Sequence, residues 1–148
     1  MRIVFLLALS TIAVPDRPDP HPKQEATPAQ QILGEWAFEK LSVGGGLGQP
    51  PMNDMEKRTI QFTPTEAIMR VNGMPLNDES AGYTIDWTKK PIPIDLLPKK
   101  GTQPKIEGIL KFEGDKLTIC FGVDNKRPTD FTTNGPGLVA IMEFKRIK

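Results

Sequence analysis

Few side chains in this sequence could carry out chemistry on a substrate or hold a metal. Cys120 is the one cysteine and His21 the one histidine among 148 residues, and His21 lies in a proline-rich stretch. Zinc sites take three or four Cys, His or carboxylate ligands, and a serine or cysteine nucleophile needs a neighbouring base. These two residues supply neither set. We therefore expect no metal, no cofactor and no enzymatic activity.

The acidic and glycine-rich motifs also differ from known binding sites. The acidic clusters at 53–56 and 77–79 lack the alternating spacing of a calcium-binding loop. The glycine-rich run at 44–48 has neither the lysine and hydroxyl of a phosphate-binding loop nor the spacing of a dinucleotide motif. We interpret the clusters as solvated turns and the glycine run as a flexible loop.

The first 14 residues are typical of a secretory signal peptide. Arg2 precedes an apolar run from Ile3 to about Val14, which is too short to span a bilayer. Thr11 and Ala13 have the small-residue spacing of a cleavage site. We therefore predict a signal peptide at 1–14 and an exported protein, periplasmic or extracellular, with no membrane span after cleavage.

Charge and cysteine content restrict the mature chain further. Removing Arg2 leaves 18 basic residues against 18 acidic ones, without the basic excess that a nucleic-acid-binding protein uses to attract phosphates. We therefore expect no nucleic-acid partner. Cys120 has no second cysteine for an internal disulfide, so the core must hold the fold.

The proline-dense, polar segment 15–31 predicts a linker to a single domain at 32–148.

The domain from 32 to 148 has the sequence pattern of an all-β fold. Short runs of alternating apolar and polar residues are separated by Gly, Pro, Asn and Asp. The eight predicted strands are 34–41, 58–63, 66–71, 81–87, 91–96, 106–112, 117–121 and 138–145. Each has one apolar face, which favours an antiparallel sheet closed into a barrel, because closure hides both edges. A two-sheet β-sandwich is the alternative.

The dipeptide Gly114-Asp115 predicts a tight hairpin with glycine at its first central position. The register then pairs residues 113 to 108 with residues 116 to 121 in reverse order. Cys120 falls on the outward face opposite Ile109. We expect it to be a small, semi-buried apolar residue and not a redox-active thiol.

The start and the end of the domain resemble those of a known superfamily. The tetrapeptide LGEW, residues 33–36, looks like the Gly-x-Trp signature that begins the first strand of lipocalins, whose fold is an up-and-down barrel. The resemblance implies that Trp36 plugs the closed end and that an arginine near the last strand stacks over it. Arg146 is the candidate partner. Gly34 would let backbone approach closely beside the large ring.

A more specific resemblance covers nearly the whole domain. The order of LGEW, YTIDWTKKPIPIDL, EGDKLTICF, RPTDF and a final FKR is similar to the lipocalin-like domain of unknown function that is abundant in planctomycete bacteria. Its members are typically exported and uncharacterised. Within RPTDF we expect Pro128 to fix the turn, Phe131 to anchor the loop in the core and Arg127 to pair locally. A ligand-contacting Arg127 at the rim is the alternative.

We expect the barrel interior to be mostly packed, because so many large residues face inward. Two functions remain open for such a barrel. The first is a binding module that takes a small hydrophobic ligand at the barrel mouth, contacted by Met69, Tyr83 and Phe121. The second is a structural or protein-interaction domain of the cell envelope with a filled barrel.

Overall fold

The structure is a computed structural model, and it describes residues 26–44, 57–99, 102–124, 126–134 and 137–148, apart from the side chains of 77–79. The predicted signal peptide, most of the predicted linker with His21, the remainder of the glycine run and the acidic cluster at 53–56 lie outside the described residues. In the described part of the chain, no helix has the length and apolar character needed to cross a membrane.

The chain forms one short helix and eight strands. They are α1 (Pro28–Gln31), β1 (Gly34–Val43), β2 (Arg58–Phe62), β3 (Glu66–Val71), β4 (Met74–Ile85), β5 (Ile92–Pro98), β6 (Ile106–Glu113), β7 (Lys116–Gly122) and β8 (Val139–Arg146). Each strand pairs antiparallel with the next, and β8 pairs with β1 to close the barrel. The predicted eight-stranded antiparallel up-and-down barrel is confirmed, and the β-sandwich alternative is wrong. This architecture is compatible with a lipocalin-like fold.

The β6–β7 hairpin has the predicted turn and register. Gly114 has a φ of +65°, a conformation that glycine adopts readily and other residues rarely do. The six pairs run from Glu113 opposite Lys116 to Gly108 opposite Phe121. Gly108 is needed at that last position, because a Cβ there would lie 2.6 Å from the Phe121 ring.

Strand β4 begins seven residues earlier than the predicted strand at 81–87. Asn72 and Gly73 have φ values of +53° and +78°, and they connect Val71 to its cross-strand partner Met74. An Asn-Gly pair with both φ values positive is a strong hairpin signal. The strand ends at Ile85, and Trp87 therefore lies in the following turn instead of at the end of β4.

Large apolar side chains fill the described part of the barrel interior. The buried members of this core are Ile32, Trp36, Phe38, Leu41, Ile60, Phe62, Ala67, Ile94, Leu110, Leu117, Ile119, Phe121 and Phe144. A bulge between Phe38 and Lys40 shifts the alternation in β1, so Leu41 faces inward and Lys40 does not. The filling agrees with the number of large inward residues in the sequence.

A second small core lies on the outer wall of the barrel. Cys120 packs there with Ile109 and Ile141, and Phe131 and Val139 pack against this cluster. Cys120 faces outward as predicted. It is fully buried and not semi-buried, because the segment between β7 and β8, which includes Phe131, packs onto the wall. Phe131 therefore anchors this segment outside the barrel and not in its main core. Burial, followed by the charge of Asp130, raises the pKa of the Cys120 thiol to about 11.

Arg127 fastens the same segment to β5 and β6. Its guanidinium donates to the Gly108 carbonyl oxygen at 2.8 Å and to Asp95 Oδ1 at 2.5 Å. Lys105 lies between Asp95 and Glu107, with N···O distances of 3.2 and 2.7 Å. The expectation that Arg127 pairs locally is wrong, because Gly108 and Asp95 lie 19 and 32 residues away in sequence.

The Arg127–Asp95 pair predicts a loss of stability in acid. Burial alone raises the pKa of Asp95, but hydrogen bonds from Arg127 and Lys105 outweigh burial and leave the pKa below 3.8. A carboxyl group with a lowered folded-state pKa stabilises the fold above its unfolded pKa, and this contribution is lost as the pH falls through the folded pKa. We expect Asp95→Asn to destabilise the protein by about 1 to 3 kcal/mol at neutral pH, and by much less at an acidic pH below the folded-state pKa of Asp95.

Urea unfolding of wild type and Asp95→Asn at both pH values measures this difference. Asp124→Asn is the matched control, because Asp124 is exposed and its ion pair with Lys126 is long at 3.9 Å. The control should change stability by less than about 0.5 kcal/mol. An Asp95→Asn effect of equal size at the two pH values would show that ionisation of Asp95 is not its cause.

Candidate functional site

The strand order places alternate connections at opposite ends of the barrel. The connections at 63–65, 86–91 and 114–115, together with the link from α1 to β1, share one end, which we call the Trp36 end. The strand ends that border 44–57, 72–73, 99–105 and 123–138 share the other, which we call the long-loop end. The candidate site lies at the Trp36 end.

Trp36 is completely buried near the start of β1, and Arg146 lies opposite it at the end of β8. The central carbon of the Arg146 guanidinium lies 4.2 Å from the centroid of the Trp36 ring. A cation over the face of an indole is stabilised by about 0.5 to 2 kcal/mol. The two residues proposed from sequence to stack on one another are therefore in contact.

The same two side chains bind the backbone between α1 and β1. Trp36 Nε1 donates to the Ile32 carbonyl oxygen at 2.8 Å. Arg146 Nη1 donates to the Leu33 carbonyl oxygen at 3.0 Å, and Arg146 Nη2 donates to that of Gln31. The last carbonyls of a helix need partners from outside it. These three consecutive carbonyls receive them from Trp36 and Arg146, which fix α1 against the barrel.

Gly34 lies directly beside the guanidinium of Arg146. Its φ of +112° is a conformation that residues with a side chain rarely adopt. A Cβ at this position would lie 3.4 Å from Arg146 Nη1. Gly34 therefore permits the turn into β1 and leaves room for Arg146, and the structure brings Gly34, Trp36 and Arg146 together.

Aromatic rings extend from Trp36 towards the turn after β4. The Phe112 ring centroid lies 5.9 Å from that of Trp36 and 6.3 Å from that of Trp87. Phe112 and Trp87 are stacked, with 20° between their planes. Such arrangements add to the free energy of burial alone. The Phe112 ring therefore links Trp87 to the buried Trp36 ring.

Tyr83 is held beside this aromatic series by two contacts. Its ring packs edge-on against Phe62 with a centroid distance of 5.3 Å. Its hydroxyl donates to the Thr63 carbonyl oxygen at 2.7 Å. Burial raises the pKa of the Tyr83 phenol above its ordinary value of 10. The hydroxyl therefore stays protonated at neutral pH and serves as a fixed donor.

An apolar groove of about 350 Å³ lies between α1 and the end of β4, and we call it the Trp87 groove. It is lined by Ala29, Gln30, Ile32, Leu33, Pro64, Tyr83, Ile85 and Trp87. The polar side-chain groups of this lining are the Gln30 amide, the Trp87 indole N–H and the Tyr83 hydroxyl, which is already bonded to Thr63. Such a groove can hold an apolar molecule by removing its surface from water.

The three residues predicted to contact a ligand do not form one site. Tyr83 lies at the Trp36 end, so its predicted place near the long loops is wrong. Phe121 is only 7% exposed, near the end of β7, where it fills the core towards the long-loop end. Met69 packs against the core from β3. Of the three, only Tyr83 lines the Trp87 groove.

Sequence reasoning missed the contribution of α1 and its link to this groove. Residues 28–31 fell within the predicted linker, yet they form a helical turn in which the Thr27 amide donates to Gln30 Oε1 at 3.0 Å. The pattern Thr-x-x-Gln with proline at the first helical position is a recognised start signal. It could have placed Ile32 and Leu33 directly after a helical turn.

Four further cavities have linings that mix charged or polar residues with apolar ones, and one of the four includes Arg146. Among the residues with described positions, no group of three His, Cys, Asp or Glu side chains could hold a metal ion.

Fold and site together define an eight-stranded up-and-down β-barrel protein with an apolar groove at the end where Trp36 is buried. No protein-family profile, curated protein or solved structure matches this chain.

The Arg146 contacts predict that this residue is important for stability. Arg146→Met removes the cation over Trp36 and two donors to backbone carbonyls, and we expect it to lower the free energy of unfolding by about 2 to 4 kcal/mol. Lys145→Met is the matched control, because Lys145 is exposed on the other face of β8. The control should cost less than about 0.5 kcal/mol in the same urea titration. Equal effects of the two variants would contradict the assigned role of Arg146.

Proposed function

We propose that this protein is an exported, non-enzymatic binding module that takes a small hydrophobic molecule in the Trp87 groove. The observation that carries the proposal is the lining of that groove, which is apolar and aromatic and has a volume of a few hundred cubic ångströms. Ligand sites of this size are commonly apolar concavities with few polar groups. The proposed site differs from the barrel mouth inferred from sequence, because the groove lies at the opposite end.

The packed interior supports a shallow site instead of a deep one. Trp36, Phe62 and Phe144 are among the fully or almost fully buried side chains beneath the barrel wall. An eight-stranded barrel has room either for such side chains or for one small ligand. A ligand would therefore lie against the Trp36 end without displacing the core.

Binding of the neutral fluorescent probe N-phenyl-1-naphthylamine tests this function. We expect saturable binding that Ala29→Trp weakens about tenfold or more, because the new indole would occupy the groove from the exposed face of α1. Trp87→Leu should also weaken binding by removing an aromatic wall. Leu97→Ala is the control, since Leu97 is an exposed apolar residue on β5 that does not line the groove.

Unfolding curves of each variant establish that the barrel is intact before binding is measured. Probe binding that Ala29→Trp and Trp87→Leu leave unchanged would contradict the assignment to the Trp87 groove. Failure of the wild-type protein to bind any apolar probe would contradict the small-molecule function itself.

A structural or protein-interaction domain of the cell envelope is the second candidate. The filled interior favours it, as do the exposed side chains of Met74, Leu97, Val123 and Ile147. Native mass spectrometry of the protein from its own source separates the two candidates. A bound small molecule supports the binding module, and a bound protein supports the interaction domain.

A further inference from the structure

The Trp87 groove carries hydrogen-bond donors for which the described residues supply no acceptor. Trp87 makes a ring contact with Phe112, but its indole N–H takes part in no hydrogen bond between described residues. The Gln30 side chain uses its Oε1 atom, which accepts from the Thr27 amide at 3.0 Å, and its NH₂ group remains without an acceptor among those residues. Neither nitrogen is a buried orphan, since Arg58 Nε is the one such side-chain atom in the described part of the chain. Both donors are therefore accessible to a ligand or to water.

Two backbone acceptors beside the groove are already engaged. The carbonyl oxygen of Ile32 accepts from Trp36 Nε1 at 2.8 Å. That of Leu33 accepts from Arg146 Nη1 at 3.0 Å. Ile32 and Leu33 both line the groove. The groove therefore has donors to offer a ligand, while these two carbonyls already have donors of their own.

The lining of the groove is also uncharged. Among the described residues, no Asp, Glu, Lys or Arg side chain belongs to it. Asp86 and Lys89, on the turn that holds Trp87, pair with each other at 3.4 Å. The Arg146 guanidinium is bonded to backbone carbonyls and stacked on an indole ring. An ionised ligand would lose its water without meeting an opposite charge in the lining, which is unfavourable. The groove therefore favours a neutral ligand.

We propose that the ligand of the Trp87 groove is a neutral, apolar molecule with an acceptor oxygen, as in a ketone or an ester, and that Trp87 Nε1 and Gln30 Nε2 donate to it. This inference rests on the proposed binding function and adds the chemical class of the ligand. A site whose donors need an acceptor discriminates against an analogue that lacks one. Because Gln30 is exposed to water, each hydrogen bond contributes a modest factor to affinity.

A pair of isosteric ligands tests this selectivity. 2-Acetylnaphthalene and 2-isopropenylnaphthalene have nearly the same shape, but the hydrocarbon has a CH₂ group in place of the carbonyl oxygen. Their affinities for the full-length protein are measured by displacement of N-phenyl-1-naphthylamine. We expect the ketone to bind about fivefold more tightly, although burial of apolar surface alone would favour the hydrocarbon. The anion 2-naphthoate should bind more weakly than the ketone, also by about fivefold or more.

Proton NMR of the indole N–H groups shows whether the hydrogen bond forms at Trp87. The protein has two tryptophans, and the Trp87 signal is the one that disappears in Trp87→Phe. We expect the ketone to move this signal downfield relative to the hydrocarbon, because both ligands carry the same naphthalene ring and only the ketone accepts a hydrogen bond. The Trp36 signal is the internal reference, since its N–H is already bonded to Ile32.

Two variants remove the donors one at a time. Trp87→Phe keeps an aromatic ring without an N–H group. Gln30→Glu keeps the side-chain oxygen that caps α1 and removes the amide donor. Each should lower the preference for the ketone about twofold or more, while the hydrocarbon still binds. Gln31→Glu is the matched control, because it makes the same change at the next residue of α1, which does not line the groove, and it should keep the preference.

The possible results separate this inference from the proposed function. Hydrocarbon binding that is as tight as ketone binding, or tighter, would overturn the inference and leave an unselective apolar groove. A ketone preference that Trp87→Phe and Gln30→Glu both leave unchanged would also overturn it, as would equal affinities for 2-naphthoate and the ketone. If neither the probe nor any of the three ligands binds, the proposed function fails and the inference fails with it.

Discussion

The stacking of Arg146 on Trp36 is the contact on which the ordering of the Trp36 end depends. The buried indole and the partly buried guanidinium need hydrogen-bond acceptors, while the carbonyls of residues 31–33 need donors after α1. One arrangement satisfies both needs and places a cation over the indole ring. Since Trp36 is on β1 and Arg146 on β8, the contact also fixes the two strands that close the barrel.

The geometry of the Trp87 groove follows from this contact. Ile32 and Leu33, whose carbonyls Trp36 and Arg146 hold, form one side of the groove. Trp87, which reaches Trp36 through the Phe112 ring, belongs to the other. A site built on such supported side chains is more rigid than one built on free loops. The same residues therefore stabilise the barrel and define its apolar surface.

The sequence contained enough information to predict seven strand positions closely, the β6–β7 register and the pairing of Trp36 with Arg146. These features follow from alternation, from the turn at Gly114, and from the resemblance to lipocalins. The burial of Cys120, the partners of Arg127 and the Trp87 groove were not predictable in this way, because each depends on contacts between residues distant in the chain. The early start of β4 could have been predicted from Asn72-Gly73. It was missed because β4 is longer than the run of alternating residues that was predicted as a strand.

The coupling free energy between Trp36 and Arg146 tests the central claim most directly. It is obtained from urea unfolding of wild type, Trp36→Leu, Arg146→Met and the double variant. If the two side chains act as one unit, the double variant will be less destabilised than the sum of the single variants by about 1 kcal/mol or more. Additive effects within about 0.3 kcal/mol would show that the two residues act independently and would contradict the account.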